Sequence, residues 1–137
     1  MALTHLVDTS VLKRLADPSV RAVVEPLASA GRLGRTSISD LEVGYSARNA
    51  KEWDRLQSAL GAFEPVETTS EDVRRALQVQ RHLASVSQRG RKIPDLLIAA
   101  AAEAADLTVL HYDQDFDRIA KVTGQPCEWV VPSGSID

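Results

Sequence analysis

Residues 4–12 read Thr4-His5-Leu6-Val7-Asp8-Thr9-Ser10-Val11-Leu12, a short β-like run that stops at an aspartate and passes straight into a helix start. A carboxylate at that junction stands at the carboxyl end of a strand, the edge along which open α/β sheets bind ligands. Outward from there the same alternation continues. After Asp17-Pro18, Val20 to Leu27 reads as helix, Gly31 and Gly34 bracket a strand over Leu33 to Thr36, and Ser37-Ile38-Ser39-Asp40 opens a helix to about Arg48. A helix from about Lys51 to Phe63 carries Trp53, Leu56 and Leu60 at helical spacing. Pro65 to Thr68 is a short strand, and Ser70 heads an amphipathic helix whose stripe, Val73 and Leu77, runs toward Val86. Pro94-Asp95 starts a helix whose body, Leu96 to Ala102, is apolar on every side and belongs in the interior. Leu107 to Leu110 is a strand, His111 to Asp115 its exit loop, Phe116 to Lys121 a short helix, and Glu128 to Val131 a last strand. This order predicts an α/β sandwich with a mainly parallel sheet.

A length of 137 residues fits one domain, 1–137, with a polar tail from about Pro132 to Asp137. With 44% hydrophobic and 26% charged residues, the chain lies far from the composition of disorder. No apolar run reaches the roughly 18 residues that cross a bilayer, and Met1-Ala2-Leu3-Thr4-His5 lacks a signal-peptide layout, so the expected compartment is the cytoplasm and no membrane partner is expected. Cys127 has no disulfide partner, and with His5, His82 and His111 scattered it cannot build a zinc site; it reads as a small buried hydrophobe. A formal charge of −3 gives no basic excess, though a carboxylate cluster binding divalent cations would be partly neutralised in use.

Four places hold acids where a bland surface would not put them. Asp8 reads both as a helix N-cap and as a ligand at a strand end. Glu42 shares a helical face with Ile38, Leu41 and Tyr45, which places its carboxylate on the stripe expected to face the core, whereas Asp40 turns to the far side of that helix as a solvated or dipole-pairing charge. Asp95 heads the alanine-rich helix, where the helix dipole favours a negative charge. Asp113 and Asp115 lie in the loop leaving the Leu107–Leu110 strand, while Asp117 is spaced to pair with Lys121. If these acids converge, their repulsion requires a cation, and an all-carboxylate set selects Mg²⁺ or Mn²⁺ over softer metals. Such an ion polarises a phosphate and activates water, so the expected reaction is phosphodiester hydrolysis.

In order along the chain, Val7 to Leu12, Ser37 to Glu42 with Gly44, Ile93 to Ala102, and Leu110 to Phe116 with Ile119-Ala120 resemble the PIN-domain ribonucleases and, within them, the VapC toxins of bacterial toxin–antitoxin modules. The resemblance spans nearly the whole chain and implies a PIN-like three-layer α/β/α sandwich. It puts the acidic quartet on Asp8, Glu42, Asp95 and Asp113, adds Asp115 as a further metal ligand, and gives Ser10 the part of the hydroxyl supporting the first aspartate. It implies Mg²⁺- or Mn²⁺-dependent endonucleolytic cleavage of RNA, homodimerisation, and inhibition by a cognate VapB-like antitoxin. One departure is His111, at a position where many relatives carry threonine; it removes a hydroxyl from that loop.

Arg89, Arg91 and Lys92 form a basic loop before Asp95 that suits an RNA backbone, an acidic antitoxin segment or plain solvation. Lys13 and Arg14 could likewise meet phosphate. Aromatics at 4% are too few for a base-stacking platform, so recognition should rest on RNA shape and backbone, with Trp53 and Trp129 as core or interface residues. A rival reading is a catalytically degenerate PIN-like module whose acids serve only a protein partner. A haloacid-dehalogenase-type phosphatase or a phospho-receiver fits less well, because no second aspartate follows Asp8 two positions on and no acid pair sits by the first strand.

Overall fold

The structure is a computed structural model that describes residues 2–88 and 92–137. Its sheet has five strands, all parallel: β1 (His5–Val7), β2 (Leu33–Arg35), β3 (Glu64–Pro65), β4 (Thr108–His111) and β5 (Cys127–Trp129), in the spatial order β3-β2-β1-β4-β5. Seven α-helices surround it among the described residues: α1 (Thr9–Leu12), α2 (Pro18–Ser29), α3 (Ser37–Tyr45), α4 (Ala50–Ala59), α5 (Ser70–Ser85), α6 (Ile93–Ala104) and α7 (Asp115–Thr123); a 3₁₀ turn, Leu60–Ala62, follows α4. The strand order reverses direction between β1 and β4, which are paired as His5 with Thr108, Leu6 with Val109 and Val7 with Leu110. A crevice opens at such a reversal, beyond the carboxyl ends of the two strands.

The period of two along each strand divides the core into two layers. Leu6 and Val109 face a cluster containing Leu83 of α5, Ile98 and Ala99 to Ala102 of α6, and Phe116 and Ile119 of α7. Val7, Leu33 and Leu110 face the opposite cluster, with Val11 and Leu12 of α1, Val20 and Val24 of α2, and Leu60 and Phe63. The alanine run of α6 lets that helix lie close under β1 and β4, as its apolar surface predicts.

Local chemistry fixes the helix starts. Asp8 caps α1 and Asp17 caps α2 through their neighbours' backbone N–H groups, and Thr36 does so for α3. Thr69, one residue before the expected start, caps α5 in a reciprocal box with Asp72. Helix α7 begins at Asp115, so that aspartate belongs to a helical first turn, and it ends on Gly124 with φ 73°, a left-handed position suited to glycine. A Cβ at Gly44 would come within 2.6 Å of Trp53 Nε1, where α3 and α4 meet, so a side chain there would displace the indole.

Four expectations need correction. On α5 the buried stripe is Ala76, Val79 and Leu83, and Val73, Leu77 and Val86 are exposed; the helix has two apolar stripes and docks by the one with smaller side chains near α6. On α3, Leu41 and Tyr45 are 71% and 92% exposed, so of the expected stripe only Ile38 and Glu42 turn inward, and Ser39 and Val43 share that face with them. Asp40 is not merely solvated, because Arg35 Nε donates to its Oδ1 at 2.8 Å. Asp117 accepts from Trp129 Nε1 (3.1 Å) rather than pairing with Lys121, since β5 brings the indole alongside α7.

Candidate metal centre

The crevice between the ends of β1 and β4 is an open cavity of about 220 Å³, and Asp8, Glu42, Asp95 and Asp113 all line it, together with Thr9, Ser10, Lys13, Arg14, Lys92 and Tyr112. Each acid comes from a different part of the chain: Asp8 from the end of β1, Glu42 from α3, Asp95 from the first turn of α6 and Asp113 from the loop after β4. Asp115, at the head of α7, joins them. One carboxylate oxygen from each of Asp95, Asp113 and Asp115 lies within 4.8 Å of the others. To share one ion, with bonds of about 2.1 Å, these three oxygens would have to draw closer together.

Asp8 is 2% exposed, and its two oxygens have different fates. Oδ2 accepts from the Ser10 backbone N–H (2.9 Å) and from the Ser10 hydroxyl (2.5 Å), whereas Oδ1 is buried with no hydrogen-bond partner. The N-cap reading of this residue holds on Oδ2, and Oδ1 takes no part in it. Ser10 Oγ in turn accepts from Tyr112 N–H (2.9 Å), tying the end of β1 to the loop that carries Asp113. Burial pushes the Asp8 carboxyl above the usual range against the pull of the Ser10 hydrogen bonds, and Glu42 and Asp113 add repulsion.

Asp95 is 5% exposed and its Oδ2 also lacks a hydrogen-bond partner. Burial, followed by repulsion from Asp8 and Asp113, pushes its pKa up to about 8, even though a helix N-terminus favours the charge. Asp113 behaves differently. Burial raises it, but the hydrogen bond from Lys92 Nζ (2.5 Å to Oδ2) and that from Asp115 N–H (2.9 Å to Oδ1) hold its carboxyl below the ordinary value. Arg118 NH1 lies 3.4 Å from Asp115 Oδ1.

Glu42 is positioned by a residue that sequence reasoning passed over. The buried Thr9 hydroxyl donates to Glu42 Oε1 at 2.7 Å and lies 2.9 Å from the Ser39 hydroxyl. A threonine beside Asp8 reads only as a helix start in the sequence, and nothing there shows that α3 packs across it. His111 does not face the cavity. Its ring packs against Phe116 and Trp129, with centroids 5.0 and 4.9 Å away, and its Nδ1 accepts from Asp113 N–H at 3.2 Å, so it braces the loop from beneath. Burial lowers its pKa to about 4. Arg14 donates to Ser10 O and Asp137 O and lies over the Tyr112 ring. Of the expected basic loop, Lys92 stands at the cluster, while Arg89 and Arg91 lie outside the described residues.

All the donors are oxygens, and two of them are buried without partners, a combination that suits a hard divalent cation and not a zinc or copper ion. Cys127, away from this cavity and packed on the core, has its thiol pushed up to about 12 by burial.

The PIN domain family profile matches residues 5–122. Ribonuclease VapC51 of Mycobacterium tuberculosis (strain ATCC 25618 / H37Rv) is 66% identical over 137 residues, 100% of each chain. Ribonuclease VapC18 of the same strain is 41% identical, over 98% of this chain and 100% of its own. Among solved structures, that of VapBC2 from Rickettsia felis bound to a DNA fragment from their promoter shares the fold with a TM-score of 0.76 at 19% identity, over 94% of this chain and 98% of that one.

Proposed function

This chain belongs to the PIN-domain family, and we propose that its acidic crevice is the active site of a Mg²⁺- or Mn²⁺-dependent endoribonuclease, the toxin of a toxin–antitoxin pair. The supporting observation is the pair of buried, unpartnered carboxylate oxygens, Asp8 Oδ1 and Asp95 Oδ2, in one cavity with Asp113 and Glu42. Crowding carboxylates together in a buried site is costly, and a fold keeps that arrangement when a cation completes it. The relatives named ribonucleases match across the full chain, which supports RNA as the substrate.

Asp8, Asp95 and Asp113 hold the ion in this reading, Asp115 closes the set from α7, and Ser10 keeps Asp8 turned so that Oδ1 faces inward. Glu42, fixed by Thr9, binds the ion or orients its water. The bound cation would polarise a phosphodiester oxygen and acidify a water for in-line attack. The partners are RNA, a VapB-like antitoxin and a second copy of the chain. Exposed Leu41, Tyr45 and Trp53 on α3 and α4, and Val73, Leu77 and Ile93 on α5 and α6, offer apolar surface for the protein partners. No helix among the described residues is long and apolar enough to cross a membrane, and the cytoplasm is the proposed compartment.

Purified Asp8→Asn and Asp95→Asn proteins should keep the fold and lose RNA cleavage in Mg²⁺ or Mn²⁺. Cleavage at the parent's rate by either would refute the site. Mg²⁺ alone should raise the melting temperature of the parent by mass action, which a module with a degenerate site need not show.

A further inference from the structure

Lys92 is the residue that precedes α6, and it makes no capping hydrogen bond to that helix. Its ammonium reaches instead into the carboxylate cluster, 2.5 Å from Asp113 Oδ2 and 3.9 Å from Asp95 Oδ2, the buried oxygen that has no hydrogen-bond partner. These two aspartates belong to the triplet whose oxygens converge within 4.8 Å. A monovalent cation on a tether therefore stands beside the position a divalent ion would take. It is no fixed part of the core: the Lys92 side chain is 60% exposed, whereas those of Asp95 and Asp113 are 7% and 16% exposed.

We propose that Lys92 is a displaceable internal counter-ion, which holds Asp113 and Asp95 together in the metal-free chain, is evicted by the divalent ion, and then holds a phosphate of the RNA. This rests on the metal-site reading above. An ammonium held at 2.5 Å from Asp113 Oδ2 would repel a divalent ion on the same carboxylate, and that repulsion favours release of the Lys92 contact on metal entry. The released ammonium stays on the rim of the cavity, because the backbone of residue 92 is anchored at the start of α6, where Leu96 N–H donates to Lys92 O. A flexible point charge there suits a phosphate oxygen of a substrate bound over the ion. Lys13 lines the same cavity but has no ion pair with a described residue, so it supplies a matched charge without the contact.

The test compares Mg²⁺ binding, by calorimetry without RNA, in the parent, Lys92→Gln, Lys92→Arg and Lys13→Gln. Lys92→Gln should bind Mg²⁺ about fivefold or more tightly, because a competing charge near 4 Å is gone, while Lys92→Arg and Lys13→Gln stay closer to the parent. At saturating Mg²⁺, Lys92→Gln should show a higher KM for RNA. Unchanged or weaker Mg²⁺ binding by Lys92→Gln, or an equal gain in Lys13→Gln, overturns the counter-ion role while leaving the metal site standing. Tighter Mg²⁺ binding with an unchanged KM overturns the phosphate role. If no protein of the set binds Mg²⁺, the metal-site reading fails and takes this proposal with it.

Discussion

Thr9 follows the first aspartate directly, and its hydroxyl joins α1 to α3 by donating to Glu42 Oε1. A carboxylate held this way is ordered before substrate arrives, which a solvated glutamate on a half-buried helix face is not. Thr9→Val keeps the shape of the side chain and removes the donor. A hydrogen bond to a charged group contributes about 1.5–3 kcal/mol, so single-turnover RNA cleavage should slow by roughly 10-fold to 100-fold if that bond acts fully in the transition state. Magnesium affinity in the same variant separates the two roles open to Glu42. Affinity near the parent's assigns Glu42 to water, weakened affinity assigns it to the metal, and a variant that cleaves at the parent's rate reduces Thr9 to packing.

Helix α5 shows what periodicity can and cannot tell. Its sequence supports two apolar stripes, Val73-Leu77 and Ala76-Val79-Leu83, and only the second is buried against α6. Leu83 is 1% exposed and Leu77 is 59% exposed. Leu83→Ala should therefore lower stability by about 2–5 kcal/mol in urea unfolding, and Leu77→Ala by no more than about 0.5 kcal/mol. Equal losses would mean that a second copy covers Leu77 in solution. The order of strands and helices was legible because Asp8, Asp17-Pro18, Gly31 and Pro94 punctuate apolar runs of distinct period. Which face of a helix turns inward was not, because that depends on neighbours from distant sequence. The misread faces of α3 and α5 share this cause, and so does Asp117, whose helical spacing to Lys121 was outweighed by an indole arriving from β5. The cluster acids were easier to find. Asp8, Asp95 and Asp113 sit at strand ends or a helix head, positions marked in the sequence itself, and the parallel sheet brings those ends together.

At the scale of the molecule, the reversal of strand order beside β1 makes one crevice the meeting point of Asp8, Glu42, Asp95 and Asp113, and that gives the metal-free chain an unusual dependence on pH. Asp95 has a folded pKa of about 8, above its ordinary value of 3.8. The stability it contributes is whole below about pH 4 and is lost as pH rises through about 8. Asp8, also raised, acts in the same direction. His111 has the opposite sign: with a folded pKa of about 4 against an ordinary 6.5, its contribution is whole above pH 6.5 and is lost as pH falls toward 4. The effects oppose each other between pH 4 and 6.5, and above 6.5 only the carboxylates remain. In EDTA the melting temperature should therefore fall from pH 6.5 to pH 8.5, and Asp95→Asn should flatten that fall. Mg²⁺ should reverse it, because deprotonation creates the ligands, with a gain of about 2.7 kcal/mol at one hundred times the dissociation constant. A flat or rising melting curve in EDTA over that interval would show that the acids are not crowded into one pocket, and the metal centre would lose its physical basis.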